Sequence, residues 1–134
     1  MNENFTRVGV GVIIEKDGKL LMGKRSPEHL HGANEWCTPG GGVEFMEYPV
    51  KTAKRETMEE TGIEVTNVKF LGVTSDIYKK ENFHHITLWF KADYLSGKEK
   101  DTEELESVGW YPKEALPEPI LLSTKNYLES YFLP

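Results

Sequence analysis

The stretch from Gly40 to Ile63 leaves this chain little choice of backbone. Gly40, Gly41 and Gly42 are followed by a segment that opens at Pro49 and stops at Gly62. Proline suits the first turn of a helix, where its missing N–H is not needed. Glycine just past a helix end supplies the left-handed residue wanted there. The pattern predicts a glycine turn, a helix from about Tyr48 to Thr61, then a glycine stop. On that helix Glu56, Glu59 and Glu60 stand at i, i+3 and i+4, a spacing that puts their carboxylates on one face. Like charges so placed cost about 0.2–0.5 kcal/mol per pair, and the cluster suggests a counter-cation. Hard oxygen donors suit Mg²⁺ or Mn²⁺. The plainer reading is a solvated acidic face neutralised by Lys51, Lys54 and Arg55.

A length of 134 residues predicts one domain with a real core. The net charge of −6 lacks the basic face of a nucleic-acid polymer binder. A small phosphate substrate is still compatible if local cations or a metal receive it. Cys37 is the only cysteine, so no internal disulfide can form and a reducing compartment is expected. Between Trp36 and Thr38, with no basic neighbour, it reads as a small buried hydrophobe rather than a nucleophile. No apolar run approaches the roughly 18 residues of a membrane span. The opening Met1-Asn2-Glu3-Asn4 lacks the regions of a signal peptide. The expectation is a cytoplasmic protein.

Residues 5–14, rich in Val, Ile and Gly, predict a strand. Gly9 and Gly11 lie on one of its faces, where something bulky approaches closely. Asp17-Gly18 marks a hairpin turn, and residues 20–25 return as a second strand. Residues 26–35 read as a loop, with His29 and His31 as exposed side chains rather than metal ligands. Trp36-Cys37-Thr38 is a short buried strand. Residues 65–78 form a long strand bent at Gly72. Residues 83–94 form another, with Ile86, Leu88 and Phe90 alternating against Thr87, Trp89 and Lys91. The stretch 95–106 is a polar, acidic loop, and 107–111 a short strand. A helical turn begins at Pro112, and an amphipathic helix runs from Ile120 to Phe132. Leu121, Leu128 and Phe132 are its core candidates, with Tyr127 and Tyr131 at the edge. The order of elements gives an α+β or α/β/α sandwich, a mixed sheet with a helix on each side.

The residues from Gly41 to Ile63 resemble the Nudix box, G-x5-E-x7-R-E-U-x-E-E-x-G-U with U aliphatic. Gly41, Glu47, Arg55, Glu56, Glu59, Glu60, Gly62 and Ile63 occupy its positions, and Thr57 replaces the first aliphatic residue. Met46 stands where a glycine usually precedes the glutamate, so an adjusted turn is expected. His85-Ile86-Thr87-Leu88-Trp89-Phe90 resembles a strand of the MutT proteins. Residues 80–84, 106–112 and Leu116-Pro117 resemble MutT homologues that hydrolyse oxidised and thiolated purine nucleoside triphosphates. Similar plant enzymes include terpene-diphosphate hydrolases, so the leaving part need not be a nucleoside.

The resemblance implies the Nudix α/β/α sandwich. It also implies a Mg²⁺- or Mn²⁺-dependent pyrophosphohydrolase that cleaves a nucleoside diphosphate linked to another moiety, X. Glu56, Glu59 and Arg55 are the implied catalytic positions: Glu56 as general base, Arg55 orienting the carboxylates. The implied metal ligands are Glu56, Glu59, Glu60, the Gly40 carbonyl and a distal acid, Glu104 or its neighbour Glu103. Glu47 anchors the loop to the helix. Arg25 is the candidate phosphate clamp, since a guanidinium grips phosphate bidentately, while Lys24 points away. Gly41, Phe83, His85 and Trp89 are candidates for the substrate wall. The partner expected is a nucleotide or another small diphosphate, with no nucleic-acid polymer and no membrane, and similar enzymes often form homodimers. MutT reads its base partly with a late asparagine, and none occurs here between Asn82 and Asn126. Three readings are thus carried: a nucleoside triphosphate diphosphatase, an ADP-ribose or nucleotide-sugar diphosphatase, and a non-catalytic nucleotide-binding module.

Overall fold

A computed structural model describes residues 4–129 and 132, so the expectation for Tyr131 lies outside the described residues. Nine elements follow in chain order: β1 (Thr6–Lys16), β2 (Lys19–Arg25), β3 (Trp36–Cys37), β4 (Gly40–Gly42), α1 (Pro49–Thr61), β5 (Glu64–Tyr78), β6 (Phe83–Ser96), β7 (Leu105–Pro112) and α2 (Leu122–Leu128). The strands form one mixed sheet in the order β3-β2-β1-β6-β5, with β4 on β1 and β7 on β2. β1 and β6 are parallel, from Thr6↔His84 to Ile14↔Ala92. The β1–β2 and β5–β6 pairs are antiparallel. The expected hairpin is present: Asp17 and Gly18 both take positive φ, which matches the twist of a two-residue turn.

β1 and β6 each present one face to each helix. On the α1 side, Val10, Val12, Ile14, Phe90 and Ala92 pack with Ala53 and Ile63 into the larger core. On the other side, Ile13, Leu20, Met22 and Trp89 form a second core, closed by Tyr127 and Phe132. The expected α+β sandwich is therefore the observed one. Several expectations at the level of elements are corrected. Gly40–Gly42 is not a turn but a short strand antiparallel to β1, pairing Gly9↔Gly42 and Gly11↔Gly40. Its flatness lets it lie where side chains would collide: a Cβ on Gly40 would strike the Val10 carbonyl. Residues 113–116 form a turn and not a helix, and α2 is shorter than expected at Leu122–Leu128. Leu128 is 38% exposed and not core, while Tyr127 packs against Trp89 with ring centroids 4.9 Å apart. The predicted bend in β5 is a register shift between Phe70 and Gly72.

The bulky neighbours anticipated beside Gly9 and Gly11 are the protein's own. Parallel pairing sets Gly11 opposite Trp89, and a Cβ there would lie inside the indole. Gly9 likewise makes room for the His85 ring. Trp89 is 1% exposed and its Nε1–H donates to Thr74 Oγ1 at 2.8 Å, so it is first a core residue.

Candidate active site

The helix α1 begins at Pro49 and ends on Gly62, which takes φ 79° and donates its N–H to the Met58 carbonyl. These are the start and stop expected. Thr57, the departure from an aliphatic residue, is fully buried and donates to the Ala53 carbonyl at 2.7 Å. That bond to the preceding turn satisfies the hydroxyl and lets a threonine occupy an apolar position. Met46 needs no adjusted turn. It adopts φ 66°, the left-handed conformation a glycine would favour, and keeps its side chain in solvent.

One arginine orders the acidic residues. Arg55 donates from Nε to Glu47 Oε2 at 2.8 Å, from Nη2 to Glu47 Oε1 at 3.0 Å, and from Nη1 to Glu56 Oε1 at 2.6 Å and Glu59 Oε1 at 3.1 Å. Glu47 also accepts from the Thr52 hydroxyl and the Glu44 N–H, joining the loop to the helix as expected. The Arg55 guanidinium, with those two further donors, holds the Glu47 carboxyl at about 2.

The three carboxylates do not share one environment. Glu59 is 56% exposed and turns toward Arg55, whereas Glu56 and Glu60 turn toward the glycine strand. Residues at i, i+3 and i+4 span an arc, and here its inner edge is buried while its outer edge is wet. The Glu56 carboxylate fills the place a Gly41 side chain would take. Burial raises its pKa to about 7 against the pull of Arg55. Glu60 is 8% exposed and accepts the Gly40 N–H at 2.9 Å. Burial pushes its pKa well above the usual carboxylate range. The Gly40 N–H opposes this, and the charges of Glu56 and Glu104 add to it.

Glu56 and Glu60 are the strongest candidates to hold a metal. They are hard oxygen donors that burial holds above the usual carboxylate range, Glu56 in spite of its Arg55 partner, and a divalent cation suits such a pair. Among the described residues, no three His, Cys, Asp or Glu side chains converge as one metal-holding group in this conformation. Glu104 stands apart, bonded to His29 Nε2 at 3.0 Å and felt by Glu60 through its charge.

A cavity of about 180 Å³ opens beside Glu60. Its wall includes Gly40, Gly41 and Glu60, and from the expected substrate set Arg25, Phe83, His85 and Trp89. Arg25 is not free: Nε and Nη2 both donate to the His31 carbonyl, at 3.2 and 2.9 Å. Lys24 lies outside the lining, as expected. Trp89 forms part of the cavity wall while belonging to the core. Cys37 is also in the wall but buried, and burial, with Glu60 nearby, raises its thiol to about 12, so it is no nucleophile.

The two loop histidines are corrected. His29 pairs with Glu104, and His31 stacks on Phe83 at 4.1 Å with ring planes 11° apart. Tyr78, Thr87 and Asp76 were not singled out as site residues. Tyr78 tilts against both His31 and Phe83, Thr87 lines the cavity, and Asp76 is wholly buried behind it. The available signal was the alternation of β5 and β6: Asp76 pairs with His85, and Thr74 with Thr87, on the cavity face. A buried acid that shares its face with two buried threonines and a histidine marks a satisfied polar network.

The family model for the NUDIX domain matches residues 5–131. An RNA pyrophosphohydrolase of Hydrogenovibrio crunogenus is 33% identical over 124 residues, covering 78% of this chain and 72% of that protein. An ADP-ribose pyrophosphatase of Methanocaldococcus jannaschii is 33% identical over 110 residues, covering 82% of this chain but 64% of its own length. Among solved structures, a MutT NUDIX hydrolase from Burkholderia pseudomallei superposes with a TM-score of 0.85 at 31% identity, covering 93% of this chain and 97% of that one.

Proposed function

The chain belongs to the Nudix hydrolase family, and from that premise we propose that it is a metal-dependent pyrophosphohydrolase acting on a nucleoside diphosphate linked to X. The substrate favoured is a nucleoside or deoxynucleoside triphosphate, or a modified purine triphosphate, split to the monophosphate and pyrophosphate. The observation that carries this reading is the pair Glu56 and Glu60, packed on a flat glycine strand, with Glu60 and that strand lining a cavity whose wall also includes Phe83 and His85. The carboxylates suit a cation and phosphates, and the aromatic wall suits a planar group.

A bound Mg²⁺ or Mn²⁺ would neutralise phosphate charge and lower the pKa of a water. Glu56 and Glu60 would hold it, with the Gly40 carbonyl, Glu59 and Glu104 as further ligands. Glu56 is the proposed general base, because its carboxyl sits near neutrality in the metal-free protein. Arg55 orients Glu56 and Glu59 and anchors both through Glu47. Arg25 is the proposed phosphate clamp, tethered through Nε and Nη2 to the His31 carbonyl, which leaves other guanidinium N–H groups for a phosphate. Gly41 lets the phosphate chain approach the backbone, and Phe83 with His85 faces X. The partner proposed is a small molecule in the cytoplasm, not a nucleic-acid polymer.

A second reading, an ADP-ribose or nucleotide-sugar diphosphatase, is favoured by the name of the archaeal relative. A third, a non-catalytic nucleotide-binding module, is disfavoured because Glu56, Glu59 and Glu60 are all present. A nucleotide panel with Mg²⁺ or Mn²⁺ separates them, read by phosphate release after coupling to pyrophosphatase for triphosphates and to a phosphomonoesterase for ADP-ribose and nucleotide sugars. Release of pyrophosphate from a triphosphate supports the first. Turnover of ADP-ribose alone favours the second, and no turnover across the panel overturns both.

A further inference from the structure

The aromatic end of the cavity contains a chain of hydrogen bonds that sets the polarity of one ring nitrogen. Asp76 has no exposed surface. Its Oδ2 accepts from the Thr87 hydroxyl at 2.5 Å, and its Oδ1 accepts from Asn126 Nδ2 at 2.9 Å. Thr74 bonds it as well, the His85 ring lies close by with Nδ1 3.8 Å from Oδ2, and these neighbours outweigh burial and keep the carboxyl below its ordinary range. An ionised carboxylate only accepts, and a hydroxyl has one hydrogen to give. The Thr87 hydrogen is therefore spent on Asp76. Thr87 Oγ1 lies 2.9 Å from His85 Nδ1, so that ring nitrogen must be the donor.

In the neutral imidazole this leaves Nε2 as a lone pair. No described residue hydrogen-bonds to it, and a fifth of the His85 side chain (21%) is accessible. The ring packs so closely on Gly9 that a Cβ there would come within 2.8 Å of Nε2, which fixes the ring's place in the cavity wall. The His31–Phe83 stack lies beside it in that wall, with Phe83 6.1 Å from the His85 ring.

We infer that Asp76, Thr87 and His85 form a specificity device: Asp76 and Thr87 are positioning residues that lock His85 as the Nδ1–H tautomer, and His85 Nε2 then accepts a hydrogen bond from an N–H or amino group on a planar nucleobase. This deepens the reading above and rests on it only in placing a nucleotide in this cavity. The class excluded is a planar group of the same shape with no ring N–H or amino donor. For such a group the lone pair is buried without a partner.

Two measurements test it. The first is ¹⁵N NMR of the histidine rings in the free protein at about pH 8, with His85 assigned by its absence in His85→Phe. Wild type should show a protonated Nδ1 and a bare Nε2. Thr87→Val should raise the share of Nε2–H tautomer, and Thr87→Ser should restore the original. A wild-type His85 protonated at Nε2 overturns the inference, whatever the protein hydrolyses. The second is calorimetric binding of adenosine, guanosine and purine riboside 5′-monophosphates, the last having neither ring N–H nor amino group. Wild type should bind at least one donor-bearing base about ten- to a hundredfold more tightly than purine riboside, and His85→Phe should erase the difference. Equal binding by wild type, or no binding of any of the three, overturns the inference. Discrimination in binding without hydrolysis of any triphosphate leaves the inference standing and overturns only the diphosphatase reading.

Discussion

Glu60 is a carboxylate almost without water, and its one hydrogen-bond donor among the described residues is a neutral N–H from Gly40. A charge so placed is costly unless a cation shares it. Glu60→Gln should therefore keep the fold, since the amide oxygen can still accept from Gly40. Metal-dependent phosphate release should fall at least about a hundredfold. Full activity in a steady-state assay of the folded variant would remove Glu60 from the metal site. Glu47 is the opposite case, a carboxylate with more donors than most. Its folded-state pKa of about 2 lies below the ordinary 4.5. Its contribution to stability is thus fully present above about 4.5 and is lost as pH falls toward 2. Glu47→Gln should lower the thermal midpoint at neutral pH, and the gap to wild type should close on acidification. A gap unchanged down to about pH 2.5 would contradict the assignment.

At the scale of elements, β1 is the strand on which the others depend. It pairs with β2 at its far end, with β4 near its start and with β6 along its length. Its glycines make this crowding feasible by ceding space to side chains of the next strand. Gly11→Ala should force the buried Trp89 ring aside and cost about 1–3 kcal/mol, read as a lower denaturant midpoint. Gly42→Ala meets nothing within 4 Å and should stay within about 0.5 kcal/mol of wild type. Equal losses in the two variants would show that backbone freedom, and not the indole, sets the cost. In α1, by contrast, burial separates residues that helical spacing groups together, which is why Glu59 and Glu60 differ so much in exposure.

For the whole molecule, the proposed cation site would link stability to metal binding. Burial raises Glu56 from 4.5 to about 7, so in metal-free protein its favourable contribution is full below about 4.5 and is lost as pH rises through 7. Glu60 shifts in the same direction. Metal-free protein should thus lose stability between about pH 5 and 8. Mg²⁺ should restore it by about 2.7 kcal/mol at a hundredfold excess over its dissociation constant. The midpoint gain should be larger at pH 8 than at pH 5 and vanish in Glu60→Gln or after chelation. A gain independent of pH in scanning calorimetry would mean that the cation binds elsewhere. No helix among the described residues is long and apolar enough to cross a membrane.

Much of this protein was legible in one dimension, because much of it is local. Pro49 and Gly62 bound α1, Asp17-Gly18 makes the hairpin, and the box spacing names the family and its acidic residues, each through contacts a few residues apart. The strands of β5 and β6 were readable from alternation, and only their ends were not. What the tertiary structure decided concerns residues distant in the chain. Gly40–Gly42 became a strand because β1 lies against it, and local preference for a turn lost to sheet hydrogen bonds. The box glutamates, alike by spacing, were sorted into a wet Glu59, a half-buried Glu56 and a buried Glu60 by what packs over each. His31 left solvent to stack on Phe83, and Asp76 reached Asn126 fifty residues away. Burial and partnership are properties of the folded surface, and no spacing within a helix or strand encodes which neighbour will arrive from elsewhere. Sequence thus determined the acidic helix and the chemistry it suggests, whereas the fold decided which carboxylates pack on the glycine strand and which histidine joins the cavity wall.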